Sequence, residues 1–124
     1  MISQNISNKL IVALDVNTLA EVRSLVDKLG NVVEMFKVGS QLFTGCGPAA
    51  VRFIEARGKK VFLDLKFHDI PHTVFEAVKN AVNLSVALER SMVMDRQKKN
   101  VHRSLFMLTV HTAGGLEMMK AEVQ

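Results

Sequence analysis

Three things are scarce in this chain: cysteine, long apolar runs and net charge. Its single cysteine, Cys46, excludes an internal disulfide. Its longest apolar runs fall far short of the ~20 residues that a membrane helix needs. The N-terminal sequence MISQNISNKL lacks the apolar centre of a secretory signal. We therefore expect a cytoplasmic protein without a membrane partner, in which Cys46 is a small loop residue and not a reactive thiol.

The formal charge is only +4, and positive residues concentrate in the segment ERSMVMDRQKKNVHRS, residues 89–104. A nucleic-acid-binding patch is one interpretation of that segment. However, no aromatic residue interleaves its charges and no known binding motif surrounds them. A solvated connector is the favoured interpretation, and we expect no nucleic-acid partner.

Hydrophobic residues make up 48% of the chain, enough for a buried core, and they fall into a repeating pattern. Short apolar runs predict strands at 10–14, 35–38, 61–65 and 105–110. The continuous first run predicts a strand buried on both faces. Helices are predicted from Thr18, with Glu21 completing a capping box and Gly30 as the stop, from Pro48 to Arg57, from Pro71 onwards, and after 111–115. The glycine-rich segment 39–47 is predicted to be a loop.

Four successive β-α units predict an α/β fold with a parallel sheet. Two architectures fit: a small open doubly wound sheet, or the first four units of a (β/α)8 TIM-type barrel. Periodicity does not separate them. Residues 83–104 interrupt the rhythm and lengthen one connection, so we interpret them as an atypical basic insertion.

Ionisable residues stand at the end of every predicted strand, where parallel β-α folds place reacting groups. They are Asp15, Lys37, Asp64 with Lys66, and His111. Asp64 and Lys66 are two residues apart, so their side chains share one face of the third strand. A surface ion pair, worth about 0–1 kcal/mol, is the simple alternative.

Adding Asp15, Lys37 and Asp69 to that pair favours a functional site. An array of carboxylates and ammonium groups costs desolvation energy, and such arrays are typical of reaction sites. A desolvated ammonium held by carboxylates is a preorganised proton donor that can stabilise a developing carbanion.

Other candidate residues give weaker indications of a functional site. His68 and His72 are four residues apart, but Pro71 lies between them and no third ligand is present, so we expect no metal. His111 is expected to hydrogen-bond the rim of the fold. Gly114-Gly115 precedes the last helix and could admit an anion.

The segment FLDLKFHDIPHTV, residues 62–74, resembles the signature of the orotidine 5′-phosphate decarboxylase family. That signature is Asp-x-Lys-x-x-Asp, then Ile or Val, a small residue or proline, any residue, and Thr. The segments LIVALDV, FKVGSQLF and LTVHTAGG occur in the family's order and at family-like spacing. The resemblance covers about residues 10–120, apart from 83–104. It implies a carboxy-lyase without cofactor or metal that converts orotidine monophosphate to UMP and carbon dioxide in pyrimidine synthesis, as a homodimer of β/α barrels.

The resemblance also implies roles for individual residues. Lys66 would protonate C6 of the pyrimidine as carbon dioxide leaves, and Asp64 would lie beside the substrate carboxylate. Lys37 would hold the array together and contact the ribose. Asp15 would bind the ribose hydroxyls. Three further residues would reach into the site of the neighbouring subunit: Asp69, Ile70 and Thr73.

The chain departs from the family pattern in two ways. Only four strands are predicted where the family has eight, which removes the groups expected to grip the phosphate, so we expect little activity from 124 residues alone. The 83–104 segment stands where the family has a short link. Two alternatives stay open: a metal-dependent sugar-phosphate enzyme of the same superfamily, which the Ile70-Pro71-x-Thr73 continuation disfavours, and a non-catalytic half-barrel that needs a partner chain.

Overall fold

The computed structural model describes residues 4–92 and 105–123. Four strands alternate with helices along this part of the chain. The elements are α1 (Gln4–Ser7), β1 (Ile11–Ala13), α2 (Leu19–Leu29), β2 (Met35–Gly39), α3 (Ser40–Cys46), α4 (Pro48–Ala56), β3 (Lys60–Phe67), α5 (Pro71–Met92), β4 (Leu105–Val110), a 3-10 turn (Thr112–Gly114) and α6 (Leu116–Ala121).

The strands form one parallel sheet in the order β1-β2-β3-β4. A doubly wound sheet reverses its strand order at a switch point, whereas a barrel adds each new strand beside the last. The sequential order therefore confirms the predicted α/β class and separates the two architectures in favour of the barrel type.

The helices cover one face of this sheet. Right-handed crossovers that always advance in one direction leave the helices that connect the strands on the same side, and α2 packs on α4, α4 on α5, and α5 on α6. The core lies between the sheet and this helical layer. Its buried members are Leu14, Val22, Val26, Val33, Phe36, Val38, Leu42, Ala50, Val51, Ile54, Val61, Leu63 and Ala81.

The start of α2 follows from local hydrogen bonding. Thr18 Oγ1 accepts a hydrogen bond from the Glu21 amide at 3.2 Å, and Glu21 Oε2 accepts one from the Thr18 amide at 3.0 Å. The reciprocal pair satisfies two amide groups that would otherwise have no helical partner. The predicted capping box is confirmed, as is the stop of the helix at Gly30.

The prediction that the first strand is buried on both faces is wrong. Ile11 is 44% exposed in β1, while its neighbour Val12 packs against the core. The reason is that the helices cover only one face of the sheet. The continuous apolar run therefore presents one set of side chains to the helices and the alternate set to the open face.

The glycine-rich segment was predicted to be a loop, and this prediction is wrong. Most of it forms the helix α3. Leu42 is fully buried in the core, and its burial stabilises the helix despite Gly45. Cys46 is accordingly the last residue of a helix, and its Sγ lies 3.4 Å from the carbonyl oxygen of Asn17. Strand β3 also continues past its predicted end at Leu65 to Phe67.

The third helix extends further than its apolar pattern indicated. Residues 83–92, the beginning of the segment interpreted as an insertion, continue α5 to Met92. Residues 93–104 lie outside the described part of the chain, so the insertion stays a prediction. No helix within 4–92 and 105–123 is both long and apolar enough to span a bilayer.

Candidate active site at the carboxyl ends of the strands

Asp64 is the centre of a charge cluster near the carboxyl end of β3. Its Oδ2 lies 2.9 Å from Lys66 Nζ and 3.3 Å from Lys37 Nζ. Lys37 comes from the neighbouring strand β2, where it lies two residues before Gly39, the register partner of Asp64. Two ammonium groups thus share a single carboxylate oxygen.

The three side chains differ in their exposure to solvent. The Asp64 side chain is only 10% exposed, that of Lys37 is 27% exposed and that of Lys66 is 60% exposed. The carboxylate is therefore the anchored part of the cluster. The Lys66 ammonium is held at one side by Asp64 and is open on the other, which is the arrangement that a group acting on a bound molecule requires.

The backbone at Lys66 is irregular. Its φ of 49° is the only positive φ of a non-glycine residue in the described part of the chain. The β3–β4 register also shifts between Leu63 and Phe67, so residues 64–66 are not matched one to one by β4. Bulges of this kind redirect side chains near functional sites, and non-glycine residues in the left-handed region cluster there.

Thr109 of β4 completes the cluster, and it is not among the site residues predicted from the sequence. Its Oγ1 donates to Asp64 Oδ1 at 2.8 Å and accepts from the Lys66 amide at 3.0 Å. The signal that was available is its place in LTVHTAGG, close to the carboxyl end of the strand expected beside β3. A neutral hydroxyl did not stand out among the charged residues that end the other strands.

Asp64 is ionised at neutral pH in this environment. Burial acts to raise its pKa, and this is the largest single influence on the group. The hydrogen bonds from Lys66, Thr109 and Lys37 act in the opposite direction, and together with the charge of Lys66 they hold the pKa below its usual value. The two lysines therefore face a carboxylate and not a neutral acid.

The other predicted site residues do not join this cluster. Asp15 follows the end of β1 and is exposed. Asp69 Oδ1 accepts from the Ile70 amide at 2.7 Å, and among the described residues the Asp69 carboxylate forms no ion pair with Lys66. Ile70 is 65% exposed, and Thr73 is exposed in the first turn of α5.

The histidines and the glycine pair have structural roles at this edge of the sheet. His111 Nδ1 accepts from the Ala113 amide at 3.1 Å, and its ring stacks on that of His68 at 5.0 Å between centroids. A Cβ on Gly114 would collide with the buried side chain of Met118, so this glycine allows α6 to pack closely. Within 4–92 and 105–123, no three His, Cys, Asp or Glu residues are grouped to hold a metal.

Comparison with known proteins gives a family match that extends over most of the chain. The model of the Orotidine 5′-phosphate decarboxylase / HUMPS family matches residues 8–124. The chain is 46% identical over 121 residues to an orotidine 5′-phosphate decarboxylase of Moorella thermoacetica. That alignment includes 98% of this chain but 40% of the relative, so the chain spans well under half of the length of such relatives.

Crystal structures of other proteins superpose on this chain. A crystal structure of an orotidine 5′-phosphate decarboxylase from Lactobacillus acidophilus superposes with a TM-score of 0.69 at 32% identity, over 91% of this chain and 42% of that one. An uncharacterized conserved protein from Geobacillus kaustophilus gives a TM-score of 0.71 at 34% identity, over 91% and 44% of the two chains.

Proposed function

The chain belongs to the Orotidine 5′-phosphate decarboxylase / HUMPS family, and we propose that its Asp64 cluster carries the proton donor of an orotidine 5′-phosphate decarboxylase. The reaction is the conversion of orotidine monophosphate to UMP and carbon dioxide. The observation that carries the proposal is the shared Oδ2 of Asp64, which binds Lys66 at 2.9 Å and Lys37 at 3.3 Å. The names of curated relatives, which are orotidine 5′-phosphate decarboxylases, support it.

Lys66 acts in this proposal as the general acid. When the bond between C6 and the carboxylate breaks, its electron pair remains on C6, and a proton from the Lys66 ammonium neutralises that carbon as carbon dioxide leaves. The amine then regains its proton from solvent. Two ammonium groups beside one carboxylate leave the cluster with an excess positive charge, which stabilises the negative charge of the substrate carboxylate as it moves to C6.

Asp64 and Lys37 prepare the site for this step. Asp64 lies beside the carboxylate of the bound substrate and fixes the direction of the Lys66 ammonium. Lys37 holds Asp64 from the next strand and contacts the ribose. Because Asp64 pairs with both lysines in the structure, little reorganisation of these groups is needed at the moment of reaction.

The remaining proposed contacts come from four exposed residues. Asp15 binds ribose hydroxyls, and Asp69, Ile70 and Thr73 reach the site of a second subunit in a homodimer. The exposure of all four leaves them available for a ligand or a second chain. As proposed, the reaction uses neither a metal nor an organic cofactor.

A chimaera tests the proposal. Residues 8–124 replace the matching segment of the Moorella thermoacetica relative, and decarboxylation is followed by the loss of orotidine monophosphate absorbance. We expect turnover that falls by about 10²–10⁴-fold in Lys66→Ala, the range for removal of a positioned general acid. The matched control is Lys79→Ala, since Lys79 is a similarly exposed lysine on α5, paired with Glu76, and should leave turnover unchanged.

Two results would count against the proposal. One is a folded chimaera without decarboxylation, and the other is full activity in Lys66→Ala. The 124-residue chain alone is expected to turn over slowly at best, because remote contacts to the substrate phosphate contribute to catalysis as well as affinity. A magnesium requirement for turnover would instead indicate a sugar-phosphate reaction.

A further inference from the structure

The hydroxyl group of Thr109 links the Asp64 carboxylate to the backbone of Lys66. The ion pair between these two residues involves only their side chains. It donates its proton to Asp64 Oδ1 at 2.8 Å and accepts a hydrogen bond from the Lys66 amide at 3.0 Å. A hydroxyl has one proton to donate and lone pairs to accept with, so both bonds form at the same time. One side chain of β4 therefore contacts the carboxylate and the backbone of the residue paired with it.

The two oxygens of the Asp64 carboxylate have different partners. Oδ1 is bound by Thr109, and Oδ2 is bound by Lys66 and Lys37. A carboxylate can rotate about its last side-chain bond, because that torsion has a broad energy minimum. The hydroxyl on Oδ1 opposes such rotation and keeps Oδ2 directed at the two ammonium groups.

The second bond of Thr109 acts on the irregular backbone of β3. Lys66 has a left-handed φ of 49° within a stretch where the register with β4 shifts. A non-glycine residue keeps such a conformation only where its surroundings hold it. The hydrogen bond from the Lys66 amide to Thr109 Oγ1 is one such restraint.

We propose that Thr109 is a positioning residue, which fixes both the Asp64 carboxylate and the Lys66 backbone so that the Lys66 ammonium stays on Oδ2. It does not need to contact substrate to do so. The inference rests on the proposed function, because the direction of the Lys66 ammonium matters to the reaction only if Lys66 is the proton donor.

NMR spectroscopy of the 124-residue chain tests the inference without a measurement of activity. The Asp64 side-chain carbon is titrated with pH, and exchange of the Lys66 amide proton is followed, in the wild type, Thr109→Val and Thr109→Ser. Valine keeps the shape of threonine without its hydroxyl, and serine keeps the hydroxyl. Thr112→Val is the matched control, because it removes an exposed hydroxyl from the neighbouring 3-10 turn.

In Thr109→Val we expect Asp64 to titrate at higher pH than in the wild type. We also expect the Lys66 amide to exchange about tenfold faster, the factor that corresponds to the loss of one ordinary hydrogen bond. Thr109→Ser and Thr112→Val should match the wild type in both measurements. Wild-type behaviour in Thr109→Val, or equal shifts in Thr109→Ser and Thr109→Val, would overturn the inference.

The wild type provides a further readout that does not depend on the folding of Thr109→Val. Its Lys66 amide is expected to be protected from exchange, and an unprotected amide would overturn the inference by itself. The chimaera that carries residues 8–124 reports on the proposed function separately. Failure of that chimaera to decarboxylate orotidine monophosphate would count against the function and leave the NMR outcomes for Thr109 unchanged.

Discussion

Lys66 donates from its Nζ to Asp64 Oδ2 at 2.9 Å while its own backbone adopts a left-handed φ of 49°. For a residue with a Cβ that conformation costs about 1–2 kcal/mol. The interaction with Asp64 is partly exposed to solvent on the lysine side, so its free energy does not by itself account for the conformation. The geometry of the cluster is thus maintained at the expense of local stability, as is common at functional sites.

Substitution of Lys66 by glycine should therefore stabilise the protein relative to substitution by alanine. Both variants lose the ammonium group, but only glycine adopts a positive φ without strain. We expect Lys66→Gly to have a free energy of unfolding about 1 kcal/mol higher than Lys66→Ala, measured by urea denaturation.

The same pair of substitutions at Lys79 provides the control. Lys79 lies within the helix α5, where glycine is about 1 kcal/mol less favourable than alanine. The order of stability should therefore reverse between the two positions. If alanine is the more stable residue at both, the left-handed backbone at Lys66 is wrong.

The Asp64 carboxylate should make stability depend on pH in acid solution. Its pKa in the folded protein is lowered, so in the window below the ordinary value of about 3.9 the unfolded state binds more protons than the folded state. The stability that Asp64 contributes is fully present above that value. It is lost as the pH falls through the lower pKa of the folded protein.

Comparison with Asp64→Asn isolates this contribution, because asparagine has the same shape and no charge. At neutral pH we expect the variant to unfold at a lower urea concentration than the wild type. The difference in free energy of unfolding should shrink as the pH is lowered below about 3.9. A difference that stays constant down to the lowest pH at which the protein folds would mean that Asp64 is not the titrating group.

Leu42 should contribute strongly to stability although it lies in a glycine-rich segment. Its side chain is fully buried where α3 packs on the core. Truncation to alanine leaves a cavity, for which we expect a loss of about 2–5 kcal/mol in the free energy of unfolding. Thr44→Ala, at an exposed position of the same helix, should change stability by less than about 0.5 kcal/mol. Similar small losses of stability in Leu42→Ala and Thr44→Ala would indicate that the segment is a loop and not a packed helix.

The contribution of the α2 capping box to the free energy of unfolding should be measurable on its own. Thr18→Ala removes the acceptor of the Glu21 amide, and we expect a loss of about 1 kcal/mol in the free energy of unfolding. Thr18→Ser keeps the oxygen and should retain most of the stability. Thermal unfolding followed by circular dichroism compares the three proteins, and an unstable serine variant would show that the threonine methyl group, and not the cap, is what matters.

Much of the fold was predictable because its signals are local. The capping box spans Thr18 to Glu21, within one helical turn, and the apolar run of β4 begins and ends at the residues predicted. The charged residues at the strand ends were visible for the same reason, since each follows or ends an apolar run. Among the local predictions that failed are the second buried face of β1 and the loop at 39–47. Both depend on what the rest of the chain packs against them.

The sequence by itself determined that Asp64, Lys66 and Lys37 stand near the ends of strands. Only the tertiary structure decided that both lysines bind one oxygen of Asp64, and that Thr109 binds the other. The bond from Thr109 to Asp64 joins residues 45 positions apart. Its existence depends on the register of β3 with β4 and on the bulge at Lys66. Contacts of that kind arise from how strands align, and no short stretch of sequence encodes the alignment.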